Sequence, residues 1–123
     1  MANDFKRYTV QNVTTSTGAS GDSLYSTIGV SSGASKESII IGITLANKSA
    51  TGVTADVYLD ANGGASDDVY IVKGASIPAG SSLEIMSGNK IVVQGTASAD
   101  DVIRVSCGTA SALDATISVL EDV

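Results

Sequence analysis

The apolar residues of this chain come in short β-branched runs that alternate with polar residues, separated by a recurring small-residue punctuation. In the run over 52–60, Val53, Ala55, Val57 and Leu59 fall on one side and Thr54, Asp56, Tyr58 and Asp60 on the other. That period of two marks a strand with one face on a core. Ala115, Ile117 and Val119 alternate with Thr116 and Ser118 in the same way. Around position 40 the spacing places Ile39, Ile41, Ile43 and Leu45 on one face and Ile40 on the other, which reads as a strand partly covered on both sides. Further strands are expected at 5–13, 24–30, 69–73, 82–87, 90–94 and 101–107.

The punctuation reads Gly18-Ala19-Ser20, Gly33-Ala34-Ser35, Gly64-Ala65-Ser66 and Gly74-Ala75-Ser76, then Gly95-Thr96-Ala97-Ser98 and Gly108-Thr109-Ala110-Ser111. These are small turn formers, with glycine free to adopt positive φ. Pro78, the single proline, lies in Ile77-Pro78-Ala79-Gly80, a turn between two strands. No window carries a capped apolar stripe at helical spacing. The expected fold is therefore all-β: a single-domain antiparallel β-sandwich, jelly-roll-like, of about nine short strands with little helix. Residues 1–12 are expected to form an N-terminal arm or edge strand, and 13–123 the sandwich domain. With 43% hydrophobic but 4% aromatic residues, the core must be filled by Val, Ile and Ala, and association would add to its stability.

Composition removes most chemistry. The chain has no histidine, which takes away the commonest general base and the commonest metal ligand together. Gly21-Asp22-Ser23-Leu24 spells the signature of a serine esterase family, but Ser23 has no histidine to activate it, and the segment reads as a loop entering the next strand. Cys107, the single cysteine, shares a strand face with Ile103 and Val105 and reads as a small buried hydrophobe. Ser35-Lys36 cannot act as a dyad in a strand, where neighbours point to opposite faces. Residues 60–68 gather Asp60, Asn62, Asp67 and Asp68, yet the twelfth position of a calcium loop counted from Asp60 is Ile71. Asn62-Gly63 reads instead as a hairpin turn, and Asp100-Asp101 as a solvated turn. The sequons at Asn12 and Asn47 are expected to be idle, because no secretory signal is visible. No catalytic residue, metal or cofactor is expected.

The net charge of −6 and the scatter of Lys36, Lys48, Lys73, Lys90 and Arg104 as single solvated positions argue against nucleic-acid binding and against anionic membranes. The one basic pair, Lys6-Arg7, sits between Phe5 and Tyr8. Aromatic and arginine side chains are favoured interface anchors, so Phe5, Lys6, Arg7 and Tyr8 are the candidate interface residues, carried on an arm that orders on a partner. Deleting residues 2–8 is expected to abolish that binding and leave the fold.

Met1-Ala2-Asn3-Asp4-Phe5-Lys6-Arg7-Tyr8-Thr9 resembles the opening of small virion proteins of tailed bacteriophages, especially those of marine bacteria and cyanobacteria. Ile41-Gly42-Ile43-Thr44-Leu45-Ala46-Asn47, Val57-Tyr58-Leu59 and residues 70–84 resemble them too. The resemblance implies a non-enzymatic β-sandwich subunit of the virion, made in the host cytoplasm. It would be a decoration or cement protein that bridges capsomers of the major capsid protein, often as a trimer, or else a neck, tail or baseplate subunit contacting other virion proteins. A carbohydrate-binding β-sandwich module is the other class considered, with Tyr58 the one tyrosine placed on a polar strand face.

Overall fold

The computed structural model describes residues 4–27, 36–61, 67–86, 90–95 and 101–121. Each alternating run becomes a strand: β1 (Asp4–Val10), β2 (Asp22–Ser26), β3 (Lys36–Asn47), β4 (Val53–Asp60), β5 (Val69–Ile77), β6 (Ser82–Glu84), β7 (Ile91–Gly95), β8 (Val102–Cys107) and β9 (Leu113–Glu121). A 3₁₀ turn at Gly18–Ser20 precedes β2. One sheet runs β1-β9-β3, with β7 and β6 following one another along the far side of β3, and the other runs β2-β8-β4-β5. All pairings are antiparallel.

The order follows from one long hairpin rolled on itself. With β6 and β7 taken as halves of one broken strand, β1 pairs β9, β2 pairs β8, β3 pairs β6 and β7, and β4 pairs β5. Rolling that hairpin brings β9 beside β3 and β8 beside β4, and the result is a jelly-roll sandwich. The twelve-residue β3 is the spine, holding β9 on one side and β7 then β6 on the other. Ile40, Ile43, Leu45, Ile117 and Val119 of one sheet and Val57, Ile77, Ile103 and Val105 of the other are all buried in a single core. Cys107 is buried with them.

Three departures from the sequence expectation shape the surface. First, β3 carries a bulge between Ile40 and Gly42. Ser38 and Ile40 point inward before it, and Ile43, Leu45 and Asn47 after it. One extra residue exchanges the two faces of a strand, so Ile39 and Ile41 do not share a face with Ile43 and Leu45 but look outward. Second, Gly74-Ala75-Ser76 is not a turn. Gly74, at φ 67°, sits in a bulge that lets β5 run on to Ile77, and its N–H donates to the Asp56 carboxylate at 2.7 Å. Third, Asp101 is not solvated. Its buried carboxylate accepts the Gln94 N–H at 2.8 Å, its N–H donates to the Gln94 carbonyl, and its carbonyl accepts the Thr27 N–H. That one residue ties the ends of β2 and β7 to the start of β8. Asp100, the turns at 33–35, 64–66 and 96–98, the Asn62-Gly63 turn and Ser35 lie outside the described residues.

Asn47 explains its own sequon. The buried amide donates to the carbonyls of Thr51 at 2.8 Å and Ile77 at 3.0 Å and accepts from the Ser49 N–H and hydroxyl. It is the hub of the turn into β4 and is closed to a glycan. Asn47→Ala takes the amide donor from the buried Ile77 carbonyl and the acceptor from Ser49, and urea denaturation should show a loss of about 2–3 kcal/mol.

Candidate interaction surface

The β3 bulge gives the outer face of the β1-β9-β3 sheet an unusual composition. The register opposes Phe5 to Leu120, Leu120 to Ile39, and Ile39 to Val92. Directly opposed residues of antiparallel strands share a face, so these four side chains form one row across β1, β9, β3 and β7. Phe5 is 76% exposed and Val92 56%, and Ile41 beside them is exposed as well. Scattered apolar residues on a surface are ordinary, but a contiguous patch marks a place where something binds.

The rows behind it turn polar. Arg7, Ser118 and Gly42 make the next, and Thr9, Thr116, Thr44 and Glu84 the one after. There Thr44 donates to the Glu84 carboxylate at 2.8 Å. The same carboxylate lies over Gly42, where a Cβ would stand 3.0 Å from its oxygen. The face thus grades from apolar at the Phe5 end to polar at the Thr9 end.

The four residues singled out from sequence divide between two sides of β1, which is an edge strand paired with β9 along its length. Phe5 and Arg7 lie on the outer face; Lys6 and Tyr8 lie on the inner side, opposite the buried Val119 and Ile117. Tyr8 is engaged: its hydroxyl donates to the buried Glu121 carboxylate at 2.5 Å. Its ring meets Tyr25 at 5.3 Å between centroids, and the Tyr25 hydroxyl donates to Ser38 at 2.9 Å. Tyr8 therefore closes the gap between the β1 and β2 edges. Deleting residues 2–8 would remove this closure and uncover β9, so the expectation that such a deletion leaves the fold does not hold.

Burial, with the Glu121 hydrogen bond and charge added, raises the Tyr8 phenol from 10.0 to about 12, and burial raises Tyr25 further. A phenol favoured in the folded state contributes stability that is full below pH 10 and is lost as pH rises through the folded value. Tyrosinate absorbance should therefore lag the free-phenol curve and rise with unfolding toward pH 12. Tyr8→Phe should remove part of that late rise.

The outer face of the second sheet is polar. The register aligns Ser23, Arg104, Tyr58 and Tyr70, and a second register shift in β5, between Val72 and Tyr70, brings Tyr70 opposite Tyr58, a pairing that its sequence position does not reveal. The two rings meet edge to face at 4.9 Å, and Lys73 stands over the Tyr70 ring at 4.7 Å. Arg104 is not freely solvated: it pairs with Asp60 at 2.8 Å and donates to the Gly21 carbonyl at 3.1 Å. Asp68 accepts from the Ala61 N–H at 2.8 Å and from the Tyr58 hydroxyl at 3.1 Å. The acids flanking the 60–68 loop are thus engaged with the protein's own donors. Among the described residues no group of three potential ligands is placed to hold a metal ion. Gly21-Asp22-Ser23-Leu24 is not a loop before the strand, since Asp22–Ser26 is β2 itself. Ser23 lies opposite Arg104 of β8, and the Asp22 carboxylate accepts the Thr14 N–H at 2.8 Å.

No protein-family model, curated protein or solved structure matches the chain.

Proposed function

We propose that the protein is a non-enzymatic structural subunit of a virus particle, a decoration or cement protein that seats on a tailed-phage head and bridges neighbouring capsomers of the major capsid protein. The observation that carries this reading is the outward apolar row Phe5–Leu120–Ile39–Val92, which spans four strands of one sheet face and ends on the exposed Phe5 and Val92. The net charge of −6 keeps the free subunit dispersed. A shell that presents a matching apolar strip across a capsomer boundary buries the row, and that contact must be broken before the shell can open. The phage-like segments at the start of the chain and along β3, β4 and β5 favour the same reading.

Electron microscopy of purified particles carrying a label on this subunit tests it. Label spread over the shell is expected. Label confined to one vertex moves the subunit to the neck, tail or baseplate, and unlabelled particles overturn the virion role. The Tyr58–Tyr70 pair favours one second reading, a carbohydrate-binding module, because tyrosine rings on a polar strand face can stack on sugars. A glycan-array signal abolished by Tyr70→Ala would support that reading over the first.

A further inference from the structure

β9 occupies one side of β1, and among the described residues no strand continues the sheet beyond it. A seven-residue strand with one open side is a template for another strand. Its charges are also unspent: among the described residues Asp4, Lys6 and Arg7 have no ion-pair partner. The apolar row of the outer face ends at this same edge, on its most exposed member, Phe5.

We propose that two copies of the chain pair antiparallel through the Asp4–Lys6 end of β1 about a two-fold axis at Phe5, bringing their sheets edge to edge. An axis perpendicular to the sheet keeps the two outer faces on the same side, so only residues of matching orientation can oppose each other. With the axis at Asp4, Lys6 or Arg7, a charge would face its own copy. With the axis at Tyr8, Lys6 would face Val10 and leave both charges unmatched. The axis at Phe5 places Asp4 opposite the partner's Lys6, and Lys6 opposite the partner's Asp4, on the inner side. On the outer side Phe5 lies against its own copy. Opposite charges and aromatic pairs are favourable cross-strand neighbours. The pairing covers Phe5 on its open side and makes the row Val92–Ile39–Leu120–Phe5 continuous with its copy, while the face of the joined row stays free. This inference does not depend on a virion role.

Sedimentation of the full-length protein over micromolar to millimolar concentration should show a reversible monomer–dimer equilibrium that weakens with salt. Asp4→Lys and Lys6→Asp should each weaken association on the order of tenfold or more, since each sets like charges opposite one another twice. The double variant Asp4→Lys/Lys6→Asp exchanges the charges and should restore the dimer. Phe5→Cys should give a disulfide-linked dimer under mild oxidant, with the buried Cys107 remaining a thiol. Circular dichroism melts of each variant establish that the subunit is folded. A wild type that stays monomeric throughout, a trimer, or a dimer indifferent to both charge reversals overturns the proposal.

Discussion

Ile117→Ala should lower stability by about 3–4 kcal/mol, while Ser118→Ala, one residue along the same strand, should stay within about 0.5 kcal/mol of wild type. Ile117 is fully buried and sits where β1, β9 and β3 come together, opposite Tyr8 on one side and Ile43 on the other. Cutting it to alanine removes transfer energy and leaves a cavity that the β-branched neighbours, stiff at χ1, are poorly able to fill. Ser118 lies on the outer face beside Gly42, in solvent. The contrast is large against the total stability of about 5–15 kcal/mol usual for a domain, and it should lower the melting temperature by roughly 10–15 °C. Paired urea titrations check it. Equal losses from the two variants would mean that β9 does not present the faces described.

The alternating runs made the strands of this fold legible. In β4 and β9 a single alternation fixed which residues face the core, and Val57, Ile117 and Val119 are where it puts them. Residues 39–41 could not be read that way. Three consecutive isoleucines satisfy either face, so they carry no signal for the bulge that turns Ile39 and Ile41 outward. Gly74-Ala75-Ser76 misled for a related reason: a glycine at positive φ serves a turn and an in-strand bulge equally well. Asp101 looked solvated because its partners, Thr27 just past β2 and Gln94 in β7, are brought to it only by the fold. The surface was legible at one end only. Phe5 and Arg7 stood out as anchors beside a terminus, but Leu120, Ile39 and Val92 join Phe5 through strand register, which depends on the rolled topology. The available hint was an isolated one: Leu120 is apolar at a position where the alternation of β9 calls for a polar residue.

Val92→Asp should reduce retention of the subunit on particles by about a hundredfold without unfolding it, and Phe5→Asp should do the same. Either change puts a carboxylate into a row that the proposed docking would bury. It removes the side chain's apolar contribution, about 1.5–3 kcal/mol for a residue of this kind, and adds the cost of desolvating an unpaired charge. Both residues are more than half exposed in the free subunit, so the fold loses little. Thr116→Asp is the control for charge alone, because it adds the same carboxylate on the same face, in the polar row with Thr44 and Glu84, and should leave retention unchanged. Val92 is the cleaner probe: β7 lies on the opposite side of β3 from β9 and β1, so its substitution leaves the β1 edge and any pairing of two copies intact. Binding of each variant to particles stripped of the subunit, counted as copies retained after washing, decides the matter. Retention that falls equally for Thr116→Asp would assign the loss to net charge, and retention unaffected by Val92→Asp and Phe5→Asp would remove the apolar row from the docking surface.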